Sequence, residues 1–471
     1  MMHLDEQYSH RYSILGAIML GSIMGPIDAS IVNVTHPTIA EYFSVELSLA
    51  QWVPMIYPLV ISSLLLFYGR LGDIIGYKRV YLTGLAGFTV ASALCGISYL
   101  FSTIHWLILF RAIQGITAGM MMGVPYAIIT ASFPPEERGK AMGINAISIS
   151  AGLAIGPSLG GFITYSLGWP FIFLINIPIG IVGLFCAHRI LPELKGQPGR
   201  MDLGGAVTSF IFLLSFLLFV NYAQSSGLNF TTVIMLLVAI FAAITFFWIE
   251  KRVYPPMLDL GLFRNLTFSF ANISALLNFM SQYVVVFLTP FYLQRLLHYT
   301  PNSVGLTMTA LPLAVMLVAP FSGSLSDRIG TRQLACLGAS ICAIALFLMS
   351  WLPVSATSFD VAWRLAIFGL GTGIFQSPNN SAIMGSSPRN QLGIAAGVLS
   401  TVRNVGMVLG IAVGGAVLYT MVSPSLLQKP LIVGEEAVQF LFGLRYAYLV
   451  GAILTGIAAV TSLVKKNSRI I

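Results

Sequence analysis

The sequence predicts an all-α polytopic membrane protein: two related six-helix bundles with two further helices inserted between them, fourteen transmembrane helices in all. Three observations predict this. Of the 471 residues, 57% are hydrophobic and only 8% charged, where a soluble domain carries about a quarter charged residues. The apolar residues fall into fourteen runs, each close to the ~20 residues that cross a bilayer. A charged loop also occurs twice, as GRLGDIIGYKR from Gly69 to Arg79 and as GSLSDRIGTR from Gly323 to Arg332. Both follow G-x-L-x-D-x-x-G-x-(K/R). Asp73 and Asp327 stand 254 positions apart (327 − 73), as do Lys78 and Arg332.

In lipid the backbone must satisfy its own hydrogen bonds, so the spans are helices. They are expected at 13–36, 49–69, 78–99, 104–126, 138–164, 168–191, 202–222, 230–249, 267–292, 301–326, 331–352, 361–384, 391–419 and 443–464. An even count places both termini on one side. With the termini inside, eighteen lysines and arginines fall on inner segments, three on outer segments and three within spans. That asymmetry orients the chain by the positive-inside rule and puts both signature loops in the cytoplasm. Two six-helix halves alone would repeat at about 190 residues. The observed offset leaves room for roughly two more spans, and the seventh and eighth, which carry almost no polar residue, are the natural insert. The expected division is a cytoplasmic N-terminus at 1–12, a first bundle at 13–191, the insert with its linkers at 192–264 and a second bundle at 265–471. A stretch GEEAVQFLFGL before the last span is expected as a short surface helix.

The net charge of +8 is scattered over short loops and does not suggest nucleic-acid binding. Cys95, Cys186, Cys336 and Cys342 all lie in apolar runs without a CxxC pair, so neither a disulfide framework nor a metal site is indicated. The first apolar run is too long for a cleavable signal and lacks a small-residue cleavage site. No P-loop, HExxH or nucleophile elbow is present. An enzyme, an ATP-driven pump and a bound cofactor are therefore not expected. The expected partners are the lipid bilayer and a small-molecule substrate, with the chain acting as a monomer.

Charges inside spans are costly and mark ion or substrate paths. Asp28 falls eight residues before the outer end of the first span, ~12 Å deep at 1.5 Å per residue. Arg111 falls seven residues into the fourth, ~10 Å deep. The two share a depth, and a pair facing a central cavity is expected, with a static structural salt bridge as the alternative. The repeat places Gln282 opposite Asp28, so the carboxylate is not duplicated. Arg403 lies near the middle of the thirteenth span, and Arg364 is expected to snorkel. Asn272, Asn278, Gln282 and Tyr283 make the ninth span polar; Gln376, Asn379 and Asn380 do so for the twelfth. Interhelical hydrogen bonding is the plain reading of these residues. Lining a substrate cavity is the functional one, with Tyr57, Gln114, Tyr126 and Asn404 as further candidates.

GRLGDIIGYKR resembles the signature loop of the major facilitator superfamily. LFRAIQGITAG (Leu109 to Gly119) resembles its fourth-helix motif, and GLAIGPSLGG (Gly152 to Gly161) its fifth-helix motif associated with antiporters. IDASIVNVTHPTI (Ile27 to Ile39), WPFIFLINIPIG (Trp169 to Gly180), YLQ (Tyr292 to Gln294) and GIAAGVLSTVRNVGMVLG (Gly393 to Gly410) are similar to the fourteen-helix QacA/EmrB-type drug:proton antiporter branch. The likeness covers nearly the whole chain, with the motifs in order. It implies the major facilitator fold and makes the first signature loop (Gly69, Asp73, Gly76, Lys78, Arg79) a conformational latch. In that latch Asp73 faces the N-terminus of the thirteenth helix, near Gln391. Asp327 and Arg332 are the counterparts in the second half; a solvated turn is the plain alternative. From spacing alone, Gly152, Gly156 and Gly160 form a small-residue packing face, and Pro157 beside them bends the helix. Gly161 closes the motif, and only the resemblance links it to export. His36 departs from the family pattern. It is either an interfacial residue or a second titratable group beside Asp28 and Arg111.

The resulting expectation is a secondary active transporter in a bacterial-type cytoplasmic membrane. It would couple export of lipophilic or cationic compounds to proton entry by alternating access. A lipid, glycolipid or specific-metabolite exporter of the same fold is the nearest alternative. A non-transporting membrane receptor is a third, disfavoured by the intact signature loops and the absence of an appended soluble domain.

Overall fold

The computed structural model describes residues 10–45, 47–194, 196, 201–254, 256–422, 426 and 432–464. Lys195 and residues 197–200 of the linker before the insert lie outside them, as does the C-terminal tail from Lys465. The first half holds α1 (Arg11–Tyr42), α2 (Trp52–Ile75), α3 (Tyr77–Ile97), α4 (Ile104–Gly123), α5 (Arg138–Ser166) and α6 (Asn176–Ile190). Then come α7 (Leu203–Ser226) and α8 (Phe230–Glu250). The second half holds α9 (Leu266–Phe291), α10 (Ala310–Ile329), α11 (Thr331–Ser350), α12 (Ser358–Gly385), α13 (Leu392–Met421) and α14 (Glu435–Ser462).

Among the described residues, twelve helices are long and apolar enough to cross a membrane, or thirteen if the bent α5 is one span. Fourteen were expected. The shortfall is the bent α5 in the lower count and, in both counts, α12, 28 residues long, whose apolar run is diluted by Arg364, Gln376, Asn379, Asn380 and several glycines. The two parts of α5 meet at 45°, at Pro157, whose missing N–H breaks the helical ladder. α4 runs on into a short helix, Pro125–Ser132, that starts on Pro125. The GEEAVQFLFGL stretch is not a separate surface helix. It forms the first turns of α14, with Glu435 and Glu436 in the first turn, where a negative charge meets the positive end of the helix dipole.

Local chemistry fixes several boundaries. Asp202 caps α7 by accepting from Gly205 N at 2.8 Å. Asn229 and Thr232 form a reciprocal capping box at the start of α8, and Thr357 and Asp360 form another at α12. Gly76 (φ 94°) ends α2 and Gly330 (φ 96°) ends α10. These two glycines are also 254 positions apart. Both occupy the left-handed region open mainly to glycine, so the repeat extends to the backbone dihedrals of the turn.

The halves meet along two helix pairs, α2 with α13 and α5 with α10. α7 packs on α2 and α13, and α8 packs chiefly on α7. The outer face of α8 leaves Leu237, Phe241, Ile244 and Trp248 exposed, a surface suited to lipid.

Candidate functional site

The signature loops sit where the halves touch. Asp73, at the end of α2, is 6% exposed. Its Oδ1 accepts from Gly393 N at 2.8 Å and its Oδ2 from Ile394 N at 3.0 Å. Tyr77 Oη donates to Oδ1 at 2.6 Å. Gly393 and Ile394 are in the first turn of α13, whose N–H groups lack intrahelical acceptors. Asp327, at the end of α10, accepts from Gly139 N at 2.9 Å and Lys140 N at 3.0 Å, in the first turn of α5. Residues 139 and 140 lie 254 positions before 393 and 394, so loop and target repeat together. Each carboxylate gains two charge-assisted hydrogen bonds and a favourable helix dipole, and each bond crosses from one half to the other.

Close approach makes this geometry possible. A Cβ on Gly69 would collide with Gly393 O, and one on Gly323 with Gly139 O; these glycines are again 254 positions apart. Lys78 Nζ lies 3.5 Å from Glu193 in the linker that leads to α7, while Arg79 and Arg332 are exposed. Gly76 abuts Leu194 O of the same linker. The linker after α8 reaches the α13 side of the same contact, where Gln391 Nε2 donates to Asp259 Oδ2 at 2.9 Å.

The second cluster lies inside the first half. Asp28 (1% exposed) is ion-paired with Arg111 (0%). Its Oδ1 also accepts from Gln114 Nε2 at 3.0 Å and from Asn176 Nδ2 at 3.1 Å. Gln114 Nε2 donates further to Ser92 Oγ at 2.8 Å. Arg111 Nε donates to Val53 O at 3.1 Å, and its guanidinium lies 4.3 Å from the Tyr57 ring and 5.6 Å from that of Phe173. Helices α1 to α4 and α6, with the turn carrying Phe173, all contribute. The pair was expected to face a central cavity; it is instead enclosed by these elements. Arg111 Nη2, the Tyr57 hydroxyl and Asn176 Oδ1 are buried without partners, so the network is not saturated. His36 is on α1, but its side chain lies outside the described residues.

The remaining candidates divide by exposure. Tyr126, Asn278 and Asn379 are buried. Asn278 Nδ2 contacts Cys342 Sγ at 3.8 Å, and Asn379 Nδ2 donates to Ala271 O at 3.1 Å. Gln282, Tyr283, Gln376, Arg403 and Asn404 are half-buried. Gln376 Nε2 donates to Gln282 Oε1 at 3.3 Å, Arg403 interacts electrostatically with Tyr283, and Asn404 Nδ2 donates to Ser400 O at 2.9 Å.

Gly152, Gly156 and Gly160 pack α5 against α1. Cβ atoms there would meet Ile23 O, Ser30 Oγ and Ile31 respectively, whereas Gly161 faces open space. Ser30 Oγ donates to Gly152 O at 3.3 Å. The side chain of Pro157 lies outside the described residues. Sequence reasoning missed Asn176 and Ser92 in the Asp28 network. Asn176 carried a signal, as the only amide in the sixth span. Ser92 carried none, since a single serine within a span is unremarkable.

Residues 18–411 and 271–469 match the Major Facilitator Superfamily. The chain belongs to the major facilitator superfamily. It is a multi-pass membrane protein and a secondary transporter of small molecules, not an enzyme. It is 36% identical over 404 residues to the riboflavin transporter RibZ of Clostridioides difficile (strain 630), covering 85% of this chain and 87% of that protein. It is 31% identical over 411 residues to the multidrug resistance protein Stp of Mycobacterium tuberculosis (strain CDC 1551 / Oshkosh), covering 86% and 76%. Its fold is similar to the crystal structure of the human organic anion transporter MFSD10 (TETRAN), with TM-score 0.66, 15% identity, and coverage of 96% of this chain and 99% of that one.

Proposed function

We propose that this transporter exports lipophilic organic compounds in exchange for protons, with fourteen transmembrane helices of the QacA/EmrB type and both termini in the cytoplasm. In this reading α12 and the bent α5 are spans like the others, and two six-helix bundles work as the moving parts. α7 and α8, with their linkers, stand outside as a brace. The observation that carries the reading is the duplicated latch, with Asp73 on α13 and Asp327 on α5. Two symmetry-related contacts at one end of a two-part molecule are what alternating access needs to hold that end shut. Release of both opens the cytoplasmic side for loading. Their reformation exposes the load to the outside.

Asp28 is the proton-carrying group in this scheme, and Arg111 is its counter-charge. As a carboxylate it takes donors from Arg111, Gln114 and Asn176; as a neutral acid it releases the guanidinium. A group whose partners change between conformations takes up a proton in one and gives it up in the other, which is linkage between two sites. Transport into inside-out vesicles under an imposed pH gradient tests the reading. Gradient-dependent accumulation of a dye supports it, and equal uptake with the gradient collapsed overturns it. A second reading, export of one specific metabolite, has support in the 36% identity to a riboflavin transporter. Competition of riboflavin with the dye in the same vesicles separates the two.

A further inference from the structure

Arg403 stands apart from the other charges at membrane depth. Asp28 and Arg111 are sealed and paired, and Arg364 is bonded to Leu348 O and Asp360 O. Arg403 is half-buried, with no ion pair or hydrogen bond among the described residues and the Tyr283 phenol as its neighbour. It lies eleven residues into α13, ~17 Å from the latched end. The faces of α13 locate it further. Gly393 and Gly397 back onto α2, and Gly406 and Gly410 onto α9. At 3.6 residues per turn, Arg403 falls between those two faces. Ser400 and Ala396 occupy the same sector one and two turns nearer the latch. Those two are sealed at 1% and 0% exposure, and α13 is buried on every side from Leu392 to Thr401. From Val402 to Val405 it is half-buried. The packing therefore opens at the level of Arg403.

Tyr283 of α9 interacts electrostatically with Arg403, and the residue before it, Gln282, is bonded to Gln376 of α12. All four are half-buried. A lone guanidinium at this depth requires water or a counter-ion; among the described residues no carboxylate pairs with it, and Asp28 is spoken for by three donors. The fixed charge of the opening is positive.

We propose that this opening binds a planar organic compound bearing a negative group. The anion would lie on the Arg403 guanidinium fork, the ring beside Tyr283, and neutral hydrogen-bonding groups on the Gln282–Gln376 amides. This replaces the cationic substrate class that a lone membrane carboxylate suggests, and it rests on the export reading above. The guanidinium presents paired donors that match a carboxylate or phosphate.

The test uses two dyes of similar shape and opposite charge, fluorescein and rhodamine 6G, bound at equilibrium to the purified full-length chain with no pH gradient. Binding without a gradient stays readable even if proton coupling proves wrong. The wild-type chain is expected to bind fluorescein at least tenfold more tightly than rhodamine 6G. Arg403→Gln is expected to lose about tenfold in fluorescein affinity, the size of one hydrogen bond to a charged group. Rhodamine 6G binding should hold or strengthen, and Arg403→Lys should recover only part of the fluorescein affinity, because an ammonium keeps the charge but not the paired donors. Equal affinities, a preference for rhodamine 6G, binding of neither dye, or an Arg403→Gln variant that binds fluorescein like the wild type each overturns the proposal. Retained rhodamine 6G binding in Arg403→Gln separates a lost anion contact from a misfolded chain.

Discussion

Asp73 and Asp327, 254 residues apart, each accept two backbone N–H bonds from the first turn of a helix in the opposite half, and the two target turns are 254 residues apart as well. The contact between the halves is thus two-fold repeated, and its two copies can be removed one at a time. Asp73→Asn and Asp327→Asn each keep the shape of the side chain but lose the charge. A charge at a helix N-terminus contributes about 0.3–1 kcal/mol, up to ~2 when partly buried, and ~1.4 kcal/mol shifts a two-state population tenfold. Each single variant should fold, shift up to about tenfold toward the state open at the loop end, and transport more slowly. The double variant should shift further. Spin-label distances across the loop end check the order wild type, single, double; an unchanged double variant would reduce both loops to simple turns.

A steric version separates charge from fit. Gly69 and Gly323 each lie where a Cβ would meet a carbonyl of the facing helix. Gly69→Leu and Gly323→Leu leave both carboxylates in place yet push the helices apart. They should hold the loop end open more firmly than the charge variants, because overlap with backbone cannot be relieved by a side-chain rotation. Accessibility of a cysteine placed at Ser400, which is buried on α13, should rise in Gly69→Leu and stay low in the wild type.

The linkers that flank α7 and α8 touch both sides of the contact between α2 and α13. Glu193 and Leu194 sit against Lys78 and Gly76 of the first half, and Asp259 accepts from Gln391 at the N-cap of α13 in the second. Opening the loop end must break one of these contacts. The Asp259–Gln391 bond joins two half-exposed groups, so its net contribution is on the order of 1 kcal/mol. Asp259→Ala should open the loop end slightly with little loss of stability. Combined with Asp73→Asn it should act non-additively, since both touch the start of α13. A double-mutant cycle on the spin-label populations measures that coupling. Strict additivity would detach the insert from the gate.

Much of this was legible in the sequence because it is local or repeated. The offset of 254 follows from matching two short loops, and the depth of Asp28 and Arg111 follows from counting residues along two spans. The enclosure of that pair was not legible. Sequence spacing fixes the height of a side chain in the membrane but not its azimuth, so Asp28 was expected to face an opening between the halves. Asn176 and Ser92, which come from the sixth and third spans, close the network. Neither has a spacing relation to Asp28. The helix count is a different matter, since apolarity and length alone give twelve or thirteen spans among the described residues. α12 is a long helix with polar residues on several faces, and apolarity alone passes over a helix that buries its polar groups against neighbours.

The coupling prediction turns on which partner of Asp28 is removed. Arg111→Ala leaves a buried carboxylate with two amide donors and no counter-charge, and breaking a buried pair in this way costs about 3–5 kcal/mol. The variant should unfold at a visibly lower temperature. Asp28→Asn leaves Arg111 uncompensated but still bonded to Val53 O and stacked near Tyr57, so its stability loss should be the smaller of the two. Its amide oxygen still accepts from Gln114 or Asn176, and the side chain can no longer exchange a proton. Uphill export driven by a pH gradient should therefore vanish in Asp28→Asn, while downhill movement and dye binding persist. Asn176→Ala removes one carboxylate donor without touching the charge. It should keep uphill export but move its pH profile, a change that a merely structural amide would not produce. Parallel vesicle assays on the three variants, with thermal unfolding as the control for folding, read all of this at once. Full uphill activity in Asp28→Asn would take the carboxylate out of the mechanism and leave the buried cluster as a structural salt bridge.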